Sequence, residues 1–106
     1  MMQLKKKTEN HVKQVSGVFF FDPEDRIYQS HFPGRPVVPG SVILHAFLDV
    51  LQQEGIFSGK IGIERFRFHD FVPPGQFPFS VTVDGRQALC ELYDGKKLVA
   101  KGKLLI

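Results

Sequence analysis

Residues 31–55 read HFPGRPVVPG followed by SVILHAFLDVLQQEG. Pro33, Pro36 and Pro39 fix φ three times within a short loop, which stiffens everything between His31 and Gly40. From Gly40 to Gly55 comes the one strong helix signal of the chain, with Pro39 just before it, Ser41 near its start and Gly55 to close it. Val42, Ile43, Leu44, Ala46, Phe47, Leu48, Val50 and Leu51 make that helix apolar on nearly every side, so the pattern predicts a buried central helix over about 40–54. Ser41, His45, Asp49 and Gln52 are the exception. They recur at steps of four, four and three and so share one narrow polar stripe, suited to an active site or a subunit boundary.

On either side of this helix the sequence reads as strands. His11 to Phe21 is rich in Val and Phe and is stopped by the turn residues Asp22-Pro23-Glu24-Asp25. Lys60 to Phe71 and Gln76 to Val83 flank a Pro73-Pro74-Gly75 turn, and Asp84-Gly85 and Asp94-Gly95 signal two hairpins leading into Arg86 to Tyr93 and Lys97 to Leu105. One buried helix against an antiparallel meander is an α+β arrangement.

Length and composition narrow the function classes. A chain of 106 residues, 42% of them hydrophobic, suits one compact domain, expected over residues 11–106 behind a flexible basic tail at 1–10. A domain this small gains stability from an interface with a second copy. Cys90 stands alone and the four histidines show no metal-ligand spacing, so a reducing compartment and no metal are expected. The start, Met1-Met2-Gln3-Leu4-Lys5-Lys6-Lys7, runs into polar residues where a signal peptide needs an apolar stretch, and no apolar run approaches the ~18 residues of a membrane span. A soluble cytoplasmic protein without membrane insertion is the expectation. The net charge of +3 favours an acidic partner without choosing between nucleic acid and an acidic protein. The eleven phenylalanines come with no nucleic-acid motif, and core packing accounts for them better than base stacking.

The loop His31 to Gly40 resembles the HFPGxPVxPG signature of the hotdog 3-hydroxyacyl-acyl carrier protein dehydratases, the FabZ and FabA group. Phe66 to Gly75 resembles their FRRPVxPGD segment and Asp94 to Ala100 their last hairpin, so the likeness runs from about residue 12 to 106. It implies a hotdog fold, an antiparallel sheet wrapped around the long helix, paired with a second copy in a homodimer or a higher assembly. It also implies dehydration of (3R)-hydroxyacyl-acyl carrier protein to the trans-2-enoyl thioester, in fatty-acid or polyketide-like biosynthesis. The substrate would ride on the phosphopantetheine of the carrier protein, with no metal or redox cofactor.

That chemistry needs a base for the C2 proton, an acid for the departing hydroxyl and a donor for the thioester oxygen. His31 is the natural base, and the backbone N–H of Gly40, at the positive end of the helix, the oxyanion donor. Phe32, Pro33, Gly34, Arg35, Val38 and Pro39 would line the substrate or carrier site. The family's second catalytic residue is acidic and lies fourteen positions after the histidine, where this chain has His45. Four residues on, where the FabZ type has glutamine, it has Asp49. The family's segment before the first core strand is also not found.

Two readings follow from the changed pair. In one, Asp49 supports a protonated His45, one turn away, as the acid. In the other, dehydration is lost and the chain is an acyl- or carrier-binding hotdog subunit, including one that partners an active homologue. A thioesterase is a third class, disfavoured by the same missing carboxylate. His69 and Asp70 read as surface residues, Cys90 as a buried small hydrophobe, and Arg35, Lys60, Arg65 and Arg67 as solvated cations that an acidic carrier would suit.

Overall fold

The computed structural model describes residues 12–30, 34, 36–56 and 59–106, with backbone alone at 29 and 30. Along the chain run β1 (Val12–Phe21), α1 (Ile27–Ser30), α2 (Gly40–Gln53), β2 (Gly62–Phe68), β3 (Gly75–Asp84), β4 (Gln87–Asp94) and β5 (Lys97–Leu105). The strands form one antiparallel sheet in the order β1-β3-β4-β5-β2, and α2 packs across its inner face. This is the expected α+β hotdog arrangement. The tail expected over residues 1–10 lies outside the described residues.

Two turns set the register of the meander. Gly85 and Gly95, at φ +62° and +61°, occupy the first turn position after Asp84 and Asp94, a backbone region that L side chains seldom adopt. Asp84 therefore pairs with Gln87, and Asp94 with Lys97. Strand periodicity then sorts the side chains. Phe77, Phe79, Val81 and Val83 of β3, Ala88, Cys90 and Leu92 of β4, and Ala100 and Leu104 of β5 are all buried.

Against this layer α2 sets Ile43, Phe47 and Leu51, an i, i+4 row with at most 1% exposure. Phe19 of β1 stacks on Phe79 with ring centroids 4.0 Å apart, and Phe47 meets Phe19 edge-on at 5.0 Å, a favourable aromatic geometry. The prediction of a helix buried on nearly all sides holds along this row. Val42, Leu44, Ala46, Leu48 and Val50 stay half-buried in the single chain.

Beyond shifts of one residue at the ends of α2, β3 and β4, two elements differ from the sequence expectation. α1, just after the Asp22 to Asp25 turn, has no counterpart in the sequence expectation; Asp22 and Asp25 carboxylates accept the N–H groups of Glu24 and Ile27, and this capped turn seats Tyr28 in the core. β2 begins at Gly62 and ends at Phe68, not Lys60 and Phe71. His69 still donates its N–H to the Val99 carbonyl, but Asp70 then captures the Phe71 N–H on its own carboxylate at 2.8 Å, and Pro73 and Pro74 have no N–H to continue a ladder.

Candidate active site

Of the signature loop, Gly34 and residues 36–40 are described; His31, Phe32, Pro33 and Arg35, four of the expected site residues, lie outside the described residues. Gly34 is exposed at φ +83°. The end of the loop is tied down firmly. Val38 is buried and donates its N–H to the Val72 carbonyl at 2.7 Å, joining the loop to the proline turn that precedes β3.

Pro39 caps α2 with φ −60° and ψ 146°, and its carbonyl accepts from Val42 and Ile43. Proline brings no side-chain acceptor, so the first N–H groups of the helix are not capped from the side chain. Among the described residues, no acceptor reaches the N–H of Gly40 or Ser41. Phe68, at the end of edge strand β2, lays its ring over Gly40; a Cβ there would sit 2.9 Å from the ring. Glycine at this position thus makes room for an aromatic wall beside the helix terminus. Sequence reasoning missed Phe68, although the Phe66-Arg67-Phe68 alternation on an edge strand carried the signal.

Ser41, His45, Asp49 and Gln52 all lie exposed along one face of α2, as their spacing predicts. His45 and Asp49 are not joined by a hydrogen bond or ion pair in the single chain. Asp49 instead lines, with Gln53, a groove of about 300 Å³ whose floor is Val18, Phe19, Ala46, Val50 and Phe79.

Geometry also bears on two other expectations. His69 and Asp70 are both exposed, and Asp70 is engaged by Lys97 at 2.7 Å. The Lys97 ammonium, helped by the Phe71 N–H, holds the Asp70 carboxyl below its usual value, which marks a surface ion pair and not an acid–base group. Cys90 is fully buried on the core face of β4, and burial pushes its thiol up to about 12. A thiol that rarely ionises is a poor nucleophile. Native protein at pH 8 is therefore expected to leave a thiol-specific disulfide reagent unconsumed over many minutes, with one equivalent reacting at once in denaturant. Rapid reaction of the native protein would contradict this burial.

Comparison with known proteins places these features. The family model described as ApeI-like, ApeI dehydratase, matches residues 5–102. A 3-hydroxyacyl-[acyl-carrier-protein] dehydratase FabZ of Thermus thermophilus is 31% identical over 97 residues, covering 92% of this chain; the match spans only 58% of that protein's length. Among solved structures, the dehydratase heterocomplex ApeI:P from Xenorhabdus doucetiae superposes with a TM-score of 0.72 at 17% identity, over 90% of this chain and 92% of that one. The fluoroacetyl-CoA thioesterase FlK shares the fold at a TM-score of 0.53 and 16% identity, over 88% of this chain and 84% of that one. Likeness at such identities speaks for the fold alone, but the family match extends across nearly the whole sequence, and the signature loop, the glycine-led helix and all but the last residues of the meander fall within it. The chain belongs to the ApeI-like dehydratase family.

Proposed function

We propose that this protein dehydrates (3R)-3-hydroxyacyl thioesters of acyl carrier protein to the trans-2-enoyl products in the cytoplasm, as a hotdog homodimer. The observation that carries this reading is the Gly40 N–H, left without an acceptor among the described residues at the head of α2, immediately after the proline-stiffened loop that starts at His31. In the proposed step the Gly40 N–H holds the thioester oxygen. His31 removes the C2 proton, the electron pair forms the C2–C3 double bond, and the C3 hydroxyl leaves as water with a proton from His45. Solvent exchange then restores both imidazoles. The free edge of β2, with Ile63, Phe68 and Phe71 exposed near it, supports pairing with a second copy at that edge.

The test is hydration of a crotonyl thioester on carrier protein by purified protein. His31→Ala is expected to cost about a thousandfold in kcat/KM, and His45→Ala about a hundredfold, in line with the usual worth of a positioned base or acid. No wild-type turnover at any acyl chain length would defeat the proposal. His45 and Asp49, exposed and without a hydrogen bond or ion pair among the described residues, stand where the family has acid and glutamine and favour one second reading: a binding subunit of a heteromer. That reading predicts co-purification with an intact homologue and bound acyl species without turnover. Release of free acid from the thioester would point to the thioesterase class instead.

A further inference from the structure

β1 ends the sheet on the side away from β2, and among the described residues no strand lies beyond it. A bare edge offers its free N–H and C=O groups to any extended segment, so edges that stay single are usually blunted by proline, a bulge or charge. β1 has none of these over residues 14–21. Its pairing with β3 runs without a bulge from Val12 to Phe21, it contains no proline, and Lys13 is its one charged residue.

The two faces of the strand differ. On the outer face Val18 and Phe20 stand 58% and 60% exposed, with Pro78, the β3 partner of Val18, exposed beside them. On the inner face Gly17 breaks the row of side chains. The Phe79 ring leans across this glycine to within 2.9 Å of where a Cβ would stand, and so reaches the rim of the sheet. There it borders the groove of about 300 Å³ between β1 and α2. A side chain set opposite Gly17 by an added strand would meet the Phe79 ring at the mouth of that groove.

We infer that β1 pairs antiparallel with β1 of a second copy of this chain, about a two-fold axis through Val18. In that register Phe19 of each copy stands opposite Gly17 of the other, Val15 opposite Phe21 and Ser16 opposite Phe20. Each Phe19 takes the place its counterpart's glycine leaves open, and the two Phe19 rings are diagonal neighbours within reach of each other. The paired residues 15–21 carry no charge. Beyond them, Lys13 of one copy comes to the acidic turn Asp22, Glu24 and Asp25 of the other, once at each end. Moving the axis to Gly17 or Ser16 would set glycine against glycine or place Lys13 opposite Phe19, and both lose this fit.

Other occupants suit the edge less well. Pairing with β2 would bring Arg65 and Arg67, on its outer face, against Val18 and Phe20. A lipid surface calls for cations around the apolar residues, but the outer face here offers Gln14, Ser16, Ser80 and Thr82. Each homodimer joined through β2, as proposed above, keeps one β1 at either end, so this isologous contact links dimers in series. One strand edge is small beside the ~1,600 Å² of a standard interface, so association is expected only at micromolar concentration and above.

The test is the mass of the full chain by analytical ultracentrifugation, from low micromolar to near-millimolar concentration. It compares wild type, Val18→Lys, Val18→Glu and an equimolar mixture of the two variants, with thermal melts to verify that each is folded. On the axis each new charge faces its own copy, so either variant alone is expected to associate at least tenfold more weakly than wild type at low salt. The mixture sets ammonium against carboxylate and is expected to recover association to within about threefold of wild type. Gln87→Lys, on the outer face of β4, should change nothing. If the β2 pairing fails, the same contact appears as monomer to dimer with the same response to charge. A wild-type mass that does not rise with concentration would overturn the inference. So would a folded Val18→Lys that associates as wild type does, or variants that weaken singly and do not recover when mixed.

Discussion

Phe47→Ala is expected to lower the melting temperature by roughly 15–30 °C, because removing a fully buried aromatic ring costs about 3–5 kcal/mol and a domain of this size loses about 4–8 °C per kcal/mol. Phe47 has no exposed surface, and its ring meets Phe19 at 5.0 Å, Phe66 at 5.9 Å and Phe79 at 6.0 Å. Those contacts come from β1, β2 and β3, so the cavity left behind lies between the helix and three strands and has no single neighbour able to fill it. Since small domains hold only about 5–15 kcal/mol of net stability, the variant is expected to populate the unfolded state measurably on mild warming. Calorimetry or circular dichroism checks the shift. A melt within 5 °C of wild type, about 1 kcal/mol, would mean that the helix is not anchored through this ring.

Gly102→Val is expected to cost about 3 kcal/mol or more by the opposite mechanism, overpacking. Gly102 of β5 sits directly across from Phe66 of β2, whose ring occupies the space beside its Cα. A Cβ at Gly102 would clash with the edge of the ring, with Phe66 Cγ itself 2.5 Å away. The root of the side chain, not its mobile end, is therefore in the way, and Phe66 has limited retreat because its ring also packs against Phe47 and Phe68. Gly102→Ala should show a smaller loss of the same kind. Adding Phe66→Ala to Gly102→Ala should then cost less than Phe66→Ala alone, since the new methyl occupies space the ring has vacated. Urea midpoints of the four proteins measure the coupling. Strict additivity, or an unchanged midpoint for Gly102→Val, would show that the ring does not hold this position.

The residues that made the fold legible are those whose local preference and tertiary role agree. Asp84-Gly85 and Asp94-Gly95 mark turns on backbone grounds alone, and the alternation from Phe77 to Val83 needs nothing beyond a two-residue period. The polar stripe on α2 was equally plain from spacing, and the structure leaves it exposed. What the sequence hid depends on partners distant along the chain. The early end of β2 follows from the turn that Asp70 makes with Phe71 and from its grip on Lys97, a contact between residues 70 and 97. The ring of Phe68 over Gly40 joins positions that no local window contains. For the candidate site, the helix start at Gly40 could be read from Pro39 and Ser41, while the relation of His45 to Asp49 could not, because i, i+4 spacing permits contact without requiring it.

The strand order has a consequence for how the chain assembles. β3, β4 and β5 follow one another through two-residue turns, so their pairing closes short loops, whereas β1 reaches β3 and β2 reaches β5 only by spanning long stretches of chain. The central meander is therefore expected to gain structure first and the two outer strands to be added late, at the highest entropic cost. The proline-rich loop and α2 lie in sequence between those two strands. The candidate site would then be among the last parts of the molecule to acquire its final shape during folding, and the first to lose it when either edge frays.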